Sequence, residues 1–509
     1  MSNKRKIHVH PPLELASVVV TPPGLNVSSC AALVLAAMWP HSTLVSNCAA
    51  SSDLEIIRSA LARFGVATED AGYHEEERNP DYDWHLRYQI VKPRRLPRLH
   101  VRPARELDME DLARFTHHPL CPIDDPAKPI DVGASTIAAR FLIALLAASP
   151  VRCVVTGAPQ IGDLLLIEGL RAQGASIRGL GTNDGPPYEI QGARLSGGEI
   201  HLTSAASPDC ISALLLAAAL AAAPTRIVLP PGSSVPPAFQ RKNGLATGWW
   251  PEVDATLHTM KLYHAKAWWL EQDLLEVVPL QERTPESIAF SRAFLPQREV
   301  YEPEMVVVEP DASLASDLFL LPLIYGGEVA IRGLPVSCRQ AANWFLTIVT
   351  EMGSHRWMQS LNATVLRGGG KGLNGADVDL ATMPETALSV AVLALHAKGP
   401  TRIRGVEVLR NHSIDRIALA ARELRKLGAE VFEYQDGLEI LPPARLREDV
   451  EIETLGDPRM AMAFSFAGRV TICDPGCVDQ VFPGFFDVLA QLGMIERARR
   501  VRSPAHRRH

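Results

Sequence analysis

The chain has no GxGxxG dinucleotide fingerprint and no P-loop. Its one glycine-rich run, Gly368-Gly-Gly-Lys-Gly, lacks the downstream helix signature that a phosphate-cradling loop requires, which disfavours a nucleotide-binding fold. It is also poor in paired cysteines. Of the eight, at positions 30, 48, 121, 153, 210, 338, 473 and 477, only Cys473 and Cys477 are close, and one C-x3-C without a second pair is a weak zinc signal. Reduced core thiols and no metal are expected. No apolar run reaches the roughly 18 residues of a membrane span free of charge or of helix-ending signals. The nearest, Ile211 to Ala223, is Ala-rich and reads as a core helix. The basic start MSNKRKIHVHPP is not followed by an apolar signal region, so a cytoplasmic, membrane-free protein is expected. Nor is there an excess of positive charge: the formal net charge of -6 argues against a general nucleic-acid partner.

What is present is ordinary globular material in quantity. At 509 residues, 47% hydrophobic and 21% charged, the chain is long enough for two lobes with separate cores. One phrase recurs along it: a helix closing on a glycine, as in RAQGAS, TEMGSH or RKLGAE, then a strand, a hairpin and another helix. Copies spaced about 60 to 80 residues apart mark an internally repeated α/β or α+β protein. Two stretches break the rhythm. Residues 71–103 are polar and read as an exposed hairpin or loop, and 265–303, rich in Trp, Gln, Arg and Pro, read as an insertion or remodelled flap.

The most informative stretch runs from Asp377 to Glu433. Thr382 and Glu385 have the spacing of a capping box before an apolar helix, Ala387 to Ala397, that Gly399 closes. After a strand from Thr401, Asn411 or Ser413 caps a second helix with the stripe Ile417, Ala420, Leu424 and Leu427. Arg416 sits in its first turn, where the helix dipole disfavours a cation and the free N–H groups already form an anion site. The arrangement occurs twice more. Arg459 follows the cap Asp457 and Pro458, and Arg140 follows Ser135 and Thr136 into another apolar helix. Three arginines at helix starts suggest one shared anion pocket. The alternative is that each is a surface arginine paired with a nearby acid, such as Asp415 for Arg416.

On PPGLNVSSCAALVLAA, GASTIAARFLIALLA, VTGAPQIGD, SPDCISALLLAA, VEPDASLASDLFLLPL, MPETALSVAVLALHAKGPTRIRG, GDPRMAMAFSFAG and DPGCVDQVFPGFFDVLAQL, in that order over nearly the whole chain, the sequence resembles the enolpyruvyl transferases of the 5-enolpyruvylshikimate-3-phosphate (EPSP) synthase family. The resemblance implies an α/β (α+β) fold of two lobes, each with three βαβαββ repeats and the active site in the cleft between them. By the matched motifs, one lobe would span 23–309 and the other 1–22 with 310–509. The family transfers the enolpyruvyl group of phosphoenolpyruvate to a hydroxyl and releases phosphate, without a cofactor, so it needs acid/base groups and a cationic clamp. Arg140, Arg416 and Arg459 fall on its phosphoenolpyruvate-clamping arginines.

The rest of the implied site is altered. Where the family has PGSKS, this chain has Pro23-Gly-Leu-Asn26-Val27, so an ammonium has become a neutral amide. The family's acid/base aspartate corresponds to Glu385, and its second carboxylate to Ser413. A histidine is replaced by Pro458 and a lysine by Gln480. In the pocket for shikimate 3-phosphate a Ser-Ser-Gln motif reads Ser207-Pro208-Asp209, and two further positions are Trp249 and Glu252. Asp209 and Glu252 would repel a phosphate. The leading expectation is therefore a monomeric enolpyruvyl transferase with a different small-molecule acceptor, cationic or stacked on Trp249, working in specialised metabolism. The alternatives are another reaction on a phosphate- or carboxylate-bearing substrate, and a non-catalytic anion-binding or regulatory protein. Single residues also have plainer readings: Glu385 as a capping-box residue, Asp209 as an N-cap, Trp249 and Trp250 as core, and Asp311 as a cap.

Overall fold

A computed structural model of the chain describes residues 6–15, 17–39, 42–71, 89–90, 98–102, 120, 127–158, 163–202, 206–230, 251–263, 265–271, 273–279, 304–353, 356–369, 372–410 and 414–495. The α-helices among them are, in chain order, α1 (Asn26–Met38), α2 (Ser52–Arg63), α3 (Thr136–Ala147), α4 (Leu164–Ala172), α5 (Pro208–Ala218), α6 (Pro251–Leu262), α7 (Ala312–Tyr325), α8 (Phe345–Met352), α9 (Ala387–Ala394), α10 (Arg416–Lys426), α11 (Pro458–Phe464) and α12 (Phe485–Gln491). Of the described residues, no helix is long and apolar enough to cross a membrane.

The repeat is visible as a βαβαββ unit. Strand Ile130–Asp131 leads through α3 to the parallel strand Arg152–Thr156, then through α4 to Ser176–Gly179, which turns back as a hairpin to Tyr188–Gln191. The same order of pairing recurs in Gly198–His201, Thr225–Val228, Lys266–Glu271 and Leu274–Val278 with α5 and α6, and in Asp377–Asp379, Thr401–Arg404, Glu430–Tyr434 and Gly437–Leu441 with α9 and α10. A helix that turns directly into a strand needs a left-handed residue at its end, and Gly174 and Gly428 supply it at φ +97° and +103°.

Burial follows the same logic. Every residue of α1 after Asn26 is buried, as an apolar helix without a polar stripe must be, whereas α10 buries only one face, with Ile417, Leu419, Ala420 and Leu424 inside. The buried residues form two cores. One gathers side chains from Val27 to Val308, and the other takes Val9, Val18 and Val20 and then Ala312 to Met494. Near residues 23–25 and 309–311 the chain passes from one to the other at adjacent places: Leu25 N–H donates to Glu309 O at 3.0 Å and Asp311 N–H to Pro23 O at 2.9 Å. A Cβ on Gly24 at this crossing would lie 2.1 Å from Asn47 O and 2.8 Å from Val308 Cγ1, so only glycine fits.

Three expectations need correction. Lys266 to Val278 are a hairpin completing a regular four-stranded sheet, with Trp269 Nε1 donating to Asp254, rather than part of an insertion; residues 280–303 lie outside the described set. Within 71–103, Leu99–Arg102 is a sheet strand, and Gln89–Ile90 pairs in parallel with Val18 and Val19 of the second core's sheet. The helix after Glu385 begins with a 3-10 turn, Pro384–Thr386, and runs only to Ala394.

Candidate active site

In the second core, helix starts converge. Asp311 caps α7 by accepting from the N–H groups of Ser313 and Leu314, Asp415 caps α10 through Ala418 N–H, and Asp457 caps α11 through those of Arg459 and Met460. Arg416, first residue of α10, does not pair with Asp415, which is taken by Arg410 at 2.7 Å. Instead its Nε donates to Asp457 Oδ2 at 2.5 Å and its Nη1 to Glu385 Oε2 at 3.0 Å and Oε1 at 3.3 Å. The capping box expected of Thr382 and Glu385 is not formed: Met383, at the head of the 3-10 turn, makes no side-chain cap, and the Glu385 carboxylate turns to Arg416. Arg416 is thus accommodated in a first turn by two anions, as the dipole argument requires, and both anions belong to the protein.

Arg459 is sunk deeper, with 5% of its surface exposed. Its Nη2 donates to Ser313 O at 2.8 Å and Glu385 O at 3.1 Å, and its Nη1 lies 3.1 Å from Asp317 Oδ2 on α7. Asp317 is 1% exposed and accepts from Ser389 Oγ of α9 at 2.5 Å. Burial pushes the Asp317 carboxyl up to about 6 although Arg459 pulls it down. Sequence reasoning passed over this residue, yet the signal was there: Asp317 is the one charged side chain within the apolar helix ASLASDLFLLPLIY.

Arg140 belongs to a second network in the first core. Its Nε donates to Asp163 Oδ2 at 2.7 Å and its Nη1 to Asp209 Oδ2 at 3.4 Å. Asp209 is not the N-cap of α5; Ser207 is, through Cys210 N–H, which leaves Asp209 free to face Arg140. Asn26 donates to Asp53 Oδ2 at 2.6 Å and accepts from Ser51 Oγ at 2.6 Å, while Ser135 Oγ donates to Asp53 Oδ1 at 2.5 Å. The acids feel one another. Desolvation raises Asp209, with Asp53 and Asp163 adding to the rise against Arg140. Glu252, at the start of α6, is reached by solvent yet ringed by protein; desolvation raises it too, and Asp209 and Asp254 push the same way. Asp53 and Asp163 carried only the signal of helix starts, so their part here was not legible as chemistry.

The three arginines therefore fall into two networks, one per core, and each guanidinium meets carboxylates of the chain itself. Glu385, Arg416 and Arg459 are brought together, as are Asn26, Arg140, Asp209 and Glu252. Val27 is buried in α1 and Gln480 is exposed at the end of a 3-10 turn. Trp249 and Ser413 lie outside the described residues. Two surface cavities, of about 400 Å³ beside Asp184 and Tyr188 and about 420 Å³ between Glu55 and Asp131, belong to neither network.

This architecture is that of an enolpyruvyl transferase. The structure superposes on an EPSP synthase from Acinetobacter baumannii with a TM-score of 0.70 at 19% identity, covering 96% of this chain and 98% of that one. On the enolpyruvyl transferase NikO from Streptomyces tendae the TM-score is 0.60 at 15% identity, with 96% and 97% covered. In sequence, the chain is 30% identical over 479 residues to a 3-phosphoshikimate 1-carboxyvinyltransferase of Photobacterium profundum, covering 92% of this chain and 95% of the relative. It is 32% identical over 375 residues to another from Pseudoalteromonas translucida, with 72% and 80% covered. The family model for EPSP synthase (3-phosphoshikimate 1-carboxyvinyltransferase) matches residues 105–234 and 296–489, and the chain belongs to that family.

Proposed function

We propose that the chain is a carboxyvinyl transferase whose acceptor is not shikimate 3-phosphate but a small molecule with a cationic group, made in specialised metabolism. In this reading one lobe spans 23–309 and offers the acceptor side, and the other, 1–22 with 310–509, holds the phosphoenolpyruvate side. Glu385 moves the proton, and Arg416 and Arg459, with Arg140 from the opposite lobe, stabilise the charge that develops on the transferred group.

One observation carries the proposal: Arg140, the cation of the first network, is already held by Asp163 and Asp209, with Asp53 and Glu252 beside them. A phosphorylated acceptor entering there meets more negative charge than positive, and each like-charge approach costs several kcal/mol when it is partly desolvated, on the order of 4 kcal/mol at 4 Å. An ammonium meets the reverse. The engagement of all three guanidiniums by carboxylates also supports a second reading, in which the fold serves another reaction on an anionic substrate or binds without turnover.

The test is phosphate release from phosphoenolpyruvate over a panel of hydroxyl acceptors with and without amino groups, shikimate 3-phosphate included. Release with an amino-bearing acceptor and none with shikimate 3-phosphate is expected. Brisk release with shikimate 3-phosphate sinks the altered-acceptor reading, and binding of phosphoenolpyruvate without release from any acceptor favours the second.

A further inference from the structure

We propose that Asp317 sets the anion affinity of this protein by cancelling the charge of Arg459, so that Asp317 is a specificity-determining residue acting through that arginine. The inference rests on the proposed function, in which Arg459 faces the anionic substrate.

Asp317 projects from the second turn of α7, one oxygen anchored by Ser389 Oγ and the other 3.1 Å from Arg459 Nη1. The anchoring hydroxyl is itself within 3.1 Å of Ser316 Oγ, so the carboxylate is oriented from both α7 and α9. Arg459 spends Nη2 on two carbonyl oxygens, of Ser313 and Glu385, neither of which carries a full charge. Among the hydrogen bonds and ion pairs of the described residues, the full negative charge directly opposed to Arg459 is Asp317. An anion approaching this guanidinium therefore meets a near-neutral pair rather than a cation, and charges this close inside protein are poorly screened. Neutralising Asp317 restores the cation without moving it.

Asp317 is also placed to titrate, because burial and the neighbouring acids oppose its ionisation. The charged groups around it are Arg459, Asp311 and Glu385, with Asp457 acting on Arg459; on the strands packed behind α7 stand Glu328, Arg332 and Arg367, of which Glu328 and Arg367 pair with each other. All of these are common to wild type and an Asp317→Asn variant, so the difference between the two isolates Asp317.

The experiment is calorimetric titration with sulfate, a dianion throughout the range from about pH 5 to about pH 8, into wild type, Asp317→Asn and Arg416→Ala. Asp317→Asn is expected to bind about tenfold tighter than wild type near pH 8. Wild-type affinity is expected to rise as pH falls and to meet that of the variant near pH 5, and loss of Arg416 is expected to weaken binding at every pH. Equal affinities for wild type and Asp317→Asn across the range, with Arg416→Ala weakened, overturn the role of Asp317 and leave the anion site standing. Affinity untouched by Arg416→Ala overturns the anion site itself. Should Asp317→Asn fold poorly, the wild-type profile decides: a flat one refutes the inference.

Discussion

Replacing Asp317 by asparagine should stabilise the protein at neutral pH and do nothing at acid pH. The carboxyl titrates near 6 in the folded protein against 3.8 for the free group. A folded-state value raised above the unfolded one means that the native protein binds this proton more tightly, so the stability linked to it is fully present below about pH 4 and is lost as pH rises through about 6. Above that range the ionised carboxylate, even beside Arg459, leaves the native state worse off than its neutral form by about 3 kcal/mol, at roughly 1.4 kcal/mol for each tenfold difference in proton affinity between folded and unfolded chain. Asparagine is an isostere of the neutral acid and its carbonyl still accepts from Ser389. The stability difference between variant and wild type should therefore be near zero at about pH 4 and grow to about 3 kcal/mol at about pH 7.5. Urea unfolding of the two proteins across that range measures it. A difference independent of pH, or a variant less stable than wild type at about pH 7.5, would refute the account of Asp317 as a buried charge at a cost.

Removing the other partner should have the opposite sign. Arg459→Ala leaves Asp317 buried without its cation and removes the Nη2 bonds to two carbonyls, so a loss of about 3 to 5 kcal/mol is expected, and the double variant with Asp317→Asn should recover much of it; a single variant that melts with wild type would show the pair to be inert. At the chain crossing, Gly24→Ala forces a methyl onto Asn47 O and Val308, with an expected loss of about 1 to 3 kcal/mol read as a lower melting temperature. An unchanged melting temperature there would mean that the crossing relaxes freely.

Much of the architecture was written in local patterns. Apolar helices closed by glycine before a strand, as at Gly174 and Gly428, need only the left-handed conformation glycine allows, so the repeat was legible without any tertiary contact. The same holds for the caps Asp457 and Asp311 and for the half-buried stripe of α10, because a cap bonds within three residues and a stripe is a matter of period. Arg416 and Arg459 also stood out in the sequence, since a cation in the first turn of a helix is a local oddity.

What they touch was not local. Asp415 is the acid adjacent to Arg416 in sequence, yet Arg410 takes it, and Arg416 reaches Asp457 and Glu385, 41 and 31 residues away. Arg459 meets Asp317 from a helix more than a hundred residues earlier, and Arg140 meets Asp209 from a different helix start. An arginine at a helix start announces that an anion must lie near it, because the dipole and the charge both demand one. Whether that anion is a guest or a carboxylate of the chain depends on how distant helices pack, and only the tertiary structure decided it.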